Sequence, residues 1–263
     1  VLVPSFNNQI FSDVLAGIES VTTAHGYQTL VVNYDYDSQR EEEQIATVLA
    51  LNVKALLLTE SVHTLRAEKY LKAAKIPVAE VMGLSDNADR INVGFDNYRA
   101  GLDMTNMLLA SGKKQIIYFG SMSDIRDEQR YAGYCRAMEE AGLAVGRIAP
   151  NKVSSVSIGT GMMTLARQMY KEMDAILCTN DDLAVGVLQE CIASGITVPQ
   201  EMAIAGFHGL EIGQVVSPRL ASVLTPRFEM GKVATEILIK KIKGLPTIEK
   251  VDLHYRLSMG ETI

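Results

Sequence analysis

Short apolar runs alternate along the whole chain with longer stretches whose apolar residues recur every third or fourth position. "VLVP" (1–4) precedes a stretch from 8 to 25 with Ile10, Val14, Ile18 and Val21 on one face. "QTLVVNYD" (28–35), "VKALLLTE" (53–60), "IPVAEVM" (76–82) and "RINVGFDN" (90–97) continue the series, with helical spacing over 39–51, 64–74 and 98–111. Compact apolar runs read as strands sealed on both faces, and the 3.6-residue period reads as helices covering them. Strand–helix alternation of this kind predicts an α/β protein with a parallel sheet.

The rhythm restarts at "KKQIIYFG" (113–120), followed by a helix near 126–142, "RIAPNKV" (147–153) and a helix near 159–170. "DAILC" (174–178) with its helix and "MAIAGFHG" (202–209) complete the second set. Two sets of alternating units predict two doubly wound, Rossmann-like lobes. Ligands in such sheets sit beyond the carboxyl ends of the strands. The polar residues at those ends are Ser5 and Asn7, Thr59 and Glu60, Asp96 and Asn97, Ser121, Asn180 and Asp181, and His208. Four consecutive polar residues, Thr179 to Asp182, are more than one helix cap needs. One of Asp181 and Asp182 is expected to cap the helix and the other to meet ligand or solvent.

Composition narrows the class. The chain has 263 residues, 48% hydrophobic and 21% charged, enough to bury a core. No apolar run reaches the ~20 residues of a membrane-spanning helix. The net charge is −6, and the longest basic cluster is "IKKIK" (239–243), which excludes nucleic-acid binding by phosphate neutralisation on this chain alone. Three cysteines, Cys135, Cys178 and Cys191, lie in apparent element interiors without ligand spacing, so reduced thiols and a cytoplasmic location are expected. With no Met and no basic region before "VLVPSF", the chain reads as a domain cut at its start or a mature chain without its signal.

Catalytic chemistry finds little support. His25, His63, His208 and His254 show no metal-ligand spacing, and no nucleophile elbow or phosphate loop is present, so no metal and no cofactor are expected. "GTGMMTLA" (159–166) lacks the third glycine and preceding strand of a dinucleotide fingerprint. The cations carry more information. Arg126 and Arg130 are one helical turn apart and share a face; they serve either a site or a solvated surface paired with Asp127 and Glu128. Arg227 follows Pro226, either toward a site or on a surface turn. Phe6, Phe11 and Phe207 are either apolar walls or core.

Five separated motifs, "VGFDN", "RDEQRYAGY", "CTNDDLAVG", "AIAGFHGLEIG" and "RLASVLTPRFEMG", together resemble the effector-binding core of the lactose/galactose-repressor family. "LTPR" and "GFHG" bring it nearest to that family's sugar-acid (gluconate and L-idonate) repressors. The resemblance implies two lobes of periplasmic-binding-protein type joined by three crossovers, with an effector between them. It places one lobe at 1–109 plus 226–247 and the other at 110–225 plus 248–263. Helix-turn-helix and hinge segments would precede Val1, operator DNA would be met only through them, and the chain would act as a homodimer, with helix 8–25 and segment 70–82 as interface candidates.

Carried onto this chain, the family's pocket falls on Ile10, Phe11, Asp96, Arg130, Asn180, Asp181, His208 and Thr225, with Arg126 and Arg227 close by. His208 stands where sugar-binding members commonly carry Asp, and Thr225 where they often carry Gln. Both changes make the site less negative, and with three arginines they predict an anionic, hydroxylated effector: a sugar acid. A transport binding protein shares the implied fold and is the alternative; an enzyme of this fold class is disfavoured by the missing catalytic groups.

Overall fold

The computed structural model describes residues 1–263 except 86, 88 and 123. In chain order the elements are β1 (Leu2–Val3), α1 (Ile10–Ala24), β2 (Val32–Asn33), α2 (Ser38–Ala50), β3 (Leu56–Leu58), α3 (Leu65–Ala74), β4 (Val78–Val81), β5 (Ile91–Gly94) and α4 (Asn97–Ala110). They continue with β6 (Ile116–Phe119), α5 (Ile125–Glu140), β7 (Arg147–Ile148), α6 (Val156–Met169), β8 (Ala175–Cys178), α7 (Asp181–Ala193) and β9 (Ala203–His208). Last come α8 (Glu211–Val215), β10 (Ala221–Leu224), α9 (Arg227–Ile242), β11 (Lys250–Asp252) and β12 (Arg256–Ser258). The expected α/β class with two parallel-rich sheets is what the chain forms.

Most helices begin where a polar side chain takes up free N–H groups. Asp37 caps α2, Thr64 caps α3, Asp124 caps α5, Ser155 caps α6 and Asn180 caps α7. Neither Asp181 nor Asp182 is the cap of α7, which corrects the reading of "TNDD". Strands β3, β4, β6 and β8 are buried along their full length, as strands covered on both faces are, and β4 carries Glu80 into that interior. The runs at 28–35 and 147–153 contribute only two ladder residues each.

One unit comprises Val1–Asp96 and Pro226–His254, the other Asn97–Thr225 and Tyr255–Ile263. The first sheet runs β11-β5-β4-β3-β1-β2, all parallel. The second runs β12-β10-β9-β8-β6-β7, parallel except for the antiparallel β12 edge. Two of the expected lobe boundaries shift. Helix α4, expected in the first lobe, packs on α5 of the second unit, and residues 250–252 pair with β5 of the first. The resemblance places the first crossover after a complete strand–helix pair; the packing of α4 on α5 moves it to the end of a strand.

The α4–α5 contact brings two backbones together. A Cβ at Gly101 would lie 2.3 Å from the Arg130 carbonyl oxygen, and one at Gly133 would lie 2.1 Å from that of Tyr98. Glycine at both positions lets the two backbones touch, which fixes where Asn97, at the start of α4, meets the side chains of α5.

The first unit contains a buried chain of charges. His63 Nδ1 lies 3.0 Å from Glu41, its Nε2 lies 3.6 Å from Glu80, and Arg90 pairs with both Glu80 and Glu68. Burial works against protonating His63, but the hydrogen bonds to Glu41 and Glu80 and their charges outweigh it, raising its pKa to about 9. Oε1 of Glu41 and Oε2 of Glu80 accept no hydrogen bond among the described residues.

Candidate functional site

In the second unit the carboxyl ends of β8, β9 and β10 bring together Thr179, Asn180, His208 and Thr225, and α5 supplies Arg130 beside them. Arg130 is 5% exposed. Its Nε donates to Asn97 Oδ1 at 2.8 Å, and its Nη1 donates to the Thr179 carbonyl at 2.8 Å. The Thr179 hydroxyl lies 3.4 Å away, and the guanidinium carbon sits 4.0 Å from the centre of the Phe207 ring. Nη2 donates to no described residue.

The direct partners of Arg130 are therefore an amide, a carbonyl, a hydroxyl and an aromatic face, all neutral. Burial pushes its pKa down from the usual guanidinium value, yet guanidinium does not lose its proton in proteins. The carboxylates that act on it through space, Asp124 and Asp127, are already engaged. Arg126 Nη2 donates to Asp124 at 3.1 Å, and Arg147 Nη2 donates to Asp127 at 2.7 Å. For Asp124, burial raises the pKa, but the Arg126 charge, the Asp127 N–H and the Arg130 charge together lower it. Asp127 goes the other way, its desolvation outweighing its hydrogen bonds.

Asn180 accepts from Leu183 N at 3.1 Å as the α7 cap, and its Nδ2 donates to no described residue although the residue is 4% exposed. Arg130 Nη1 thus holds the carbonyl of the residue that precedes Asn180. His208 ends β9 with φ at +96°, a strained conformation for a residue with a side chain, and its Nδ1 lies 3.2 Å from Thr225 Oγ1. Phe207 is buried, as the core reading has it, and its ring faces the Arg130 guanidinium.

Asp181 does not belong with these donors. It is fully buried; Oδ1 accepts from the Ser222 hydroxyl at 2.7 Å and Oδ2 from Leu210 N at 2.5 Å. A Cβ at Gly206 would collide with its Oδ1, so the carboxylate points beneath β9 and ties β9, β10 and the turn before α8. Of the two readings of Arg126 and Arg130, the solvated face paired with Asp127 and Glu128 does not hold. Both arginines are buried, and Arg147 takes Asp127 and Glu128 while stacking 4.3 Å above Tyr131.

In the first unit, Ile10 and Phe11 open α1 and are buried, and Asp96 is exposed after β5. Arg227, at the start of α9, donates through Nε and Nη2 to Asp13 at 3.0 and 2.7 Å. Phe6 is exposed. Asn97 and Thr179 support Arg130 but were absent from the expected pocket; their position at strand ends was the available signal.

Two α/β units with parallel-rich sheets, polar strand ends and a buried arginine form the framework of a small-molecule binding protein. The chain belongs to the family of periplasmic binding proteins and the sugar-binding domain of the LacI family, which matches residues 1–256. It is 45% identical over 265 residues to the HTH-type transcriptional regulator IdnR of Escherichia coli K12, covering 100% of this chain and 80% of that protein. It is 46% identical over 264 residues to the regulator GntR of the same strain, with the same coverages. The crystal structure of transcription regulator GntR from Chromobacterium violaceum superposes with a TM-score of 0.96 at 34% identity, covering 99% of this chain and 97% of that one. The chain is thus the effector-binding part of a transcriptional regulator, neither a transport binding protein nor an enzyme. No helix among the described residues is long and apolar enough to cross a membrane.

Proposed function

We propose that this chain senses a sugar acid of the gluconate, ketogluconate or idonate type and controls operator binding by the DNA-binding segment that its relatives carry. The observation that carries this reading is Arg130: a buried guanidinium whose direct partners are all neutral and whose Nη2 remains available. An unpaired buried cation is costly, and an anionic ligand removes that cost on binding. The Asn180 amide, one residue after the carbonyl that Arg130 holds, suits an oxygen of the same ligand, and His208 with Thr225 suits its hydroxyls. Ile10, Phe11, Asp96, Arg126 and Arg227 complete the proposed pocket. Asp181 supports it from beneath without touching ligand.

Effector binding changes operator affinity by favouring one arrangement of the protein over another, a coupling of about 1–3 kcal/mol in such systems. The protein acts in the cytoplasm as a homodimer, since the half-sites of an operator call for two-fold symmetry. Three free thiols suit that compartment. Calorimetric titration with gluconate, 5-ketogluconate, idonate, gluconamide and ribose tests the ligand class: the acids bind and the neutral amide does so far more weakly. Equal affinity for gluconate and gluconamide refutes the reading, and sedimentation of a monomer at all concentrations refutes the dimer.

A further inference from the structure

Four arginines of this chain are buried: Arg90, Arg126, Arg130 and Arg227. Three have a carboxylate in contact: Arg90 has Glu80 and Glu68, Arg126 has Asp124, and Arg227 has Asp13. At Arg130 the position that would hold the carboxylate holds Asn97, whose amide oxygen receives Nε at 2.8 Å. Asparagine and aspartate share their shape. They differ in charge and in the two donor hydrogens of the amide Nδ2, which a carboxylate lacks.

We infer that Asn97 is the residue that sets the effector's charge, because its amide orients the Arg130 guanidinium without neutralising it. The inference rests on the reading of Arg130 as the partner of the effector's carboxylate. Asn97 is 1% exposed, so water does not screen what stands there. Its place is fixed by the close α4–α5 crossing, where Gly101 meets the backbone of Arg130 itself. The other groups on the guanidinium, Thr179 and Phe207, leave it oriented and charged in the same way. A carboxylate at position 97 would form the internal ion pair, and the effector's carboxylate would then meet a compensated cation and the repulsion of a neighbouring anion. Asn97 is accordingly a positioning residue: it acts on the ligand through Arg130.

The test compares the whole chain with its Asn97→Asp and Asn97→Ser variants by calorimetric titration against gluconate and gluconamide, with thermal melting of each. The unsubstituted chain prefers gluconate. Asn97→Asp loses about 10- to 100-fold in gluconate affinity, the size of one charge-assisted hydrogen bond, while gluconamide changes by less than about 3-fold. Asn97→Ser removes the orienting acceptor but keeps the charge, so both ligands weaken in parallel and the preference survives. Asn97→Asp melts no lower than the parent, because it gives a buried cation its anion. Four outcomes overturn the inference: an unchanged preference in Asn97→Asp, parallel weakening in both variants, collapse of the preference in Asn97→Ser, or an Asn97→Asp chain that fails to fold. No preference in the unsubstituted chain overturns the underlying reading and the inference with it.

Discussion

Replacing Arg130 by Met separates a ligand-binding arginine from a structural one. The substitution strands two buried acceptors, Asn97 Oδ1 and the Thr179 carbonyl. Each such orphan costs about 1–3 kcal/mol. Against that, an unpaired buried charge is removed, which relieves a desolvation penalty of several kcal/mol, and the Met stem keeps contact with Phe207. The two terms nearly cancel, so Arg130→Met is expected to lie within about 2 kcal/mol of the parent, in either direction. Arg90→Met is the contrast: it abandons the fully buried Glu80 and should cost about 3–5 kcal/mol. Thermal melting with and without gluconate reads both effects. At one hundred times Kd the ligand stabilises the parent by about 2.7 kcal/mol. That moves Tm by roughly 5–10 °C in a chain of this size. Arg130→Met should show no such shift, whereas Arg90→Met keeps it at a lower starting Tm. A gluconate shift retained by Arg130→Met, or a destabilisation as large as that of Arg90→Met, refutes the assignment.

Three further outcomes follow from single contacts. His63 is protonated in the folded state up to a pKa of about 9 against an ordinary 6.5, so its contribution is full below pH 6.5 and is lost as pH rises through 9. Denaturant unfolding at pH 6.5 and 9.5 should differ by up to about 3 kcal/mol, a difference that His63→Gln removes; equal slopes in the two chains refute it. Gly101→Ala puts a methyl group against the Arg130 carbonyl and should cost about 1–3 kcal/mol and weaken gluconate, as melting and titration will show. Asp181→Ala should destabilise by about 2–4 kcal/mol, because Leu210 N and the Ser222 hydroxyl lose a buried charged acceptor. Destabilisation absent from the melt, with gluconate affinity lost, would return Asp181 to the ligand.

The fold was legible because the two periodicities are local. Continuous apolar runs name the strands, the 3.6-residue period names the helices, and alternation implies the parallel sheet before any contact is known. Boundaries were less legible. Whether α4 closes one unit or opens the next depends on Gly101 and Gly133 touching another helix, a long-range fact that α4's own pattern does not carry. The strands β11 and β12 are short and half polar, so their pairing to β5 and β10 leaves little trace in the composition.

The site follows the same division. Strand-end position selects Asn180, Asp181 and His208, and helical spacing with the family resemblance adds Arg126, Arg130 and Arg227, but which of them faces a ligand depends on what each already holds. Asp181 and Asn180 are adjacent and equally plausible by type, yet the carboxylate of one is held by Leu210 N and the Ser222 hydroxyl, whereas the Nδ2 of the other donates to no described residue. Counting arginines predicts an anion from three positive charges, whereas pairing leaves one. Arg126 and Arg227 bring their own carboxylates, Asp124 and Asp13. The case for an acid effector therefore narrows from a collective field to the single guanidinium whose partners are neutral. In a chain of net charge −6, that local imbalance outweighs the overall sign, because a buried contact is not screened as the surface charges are.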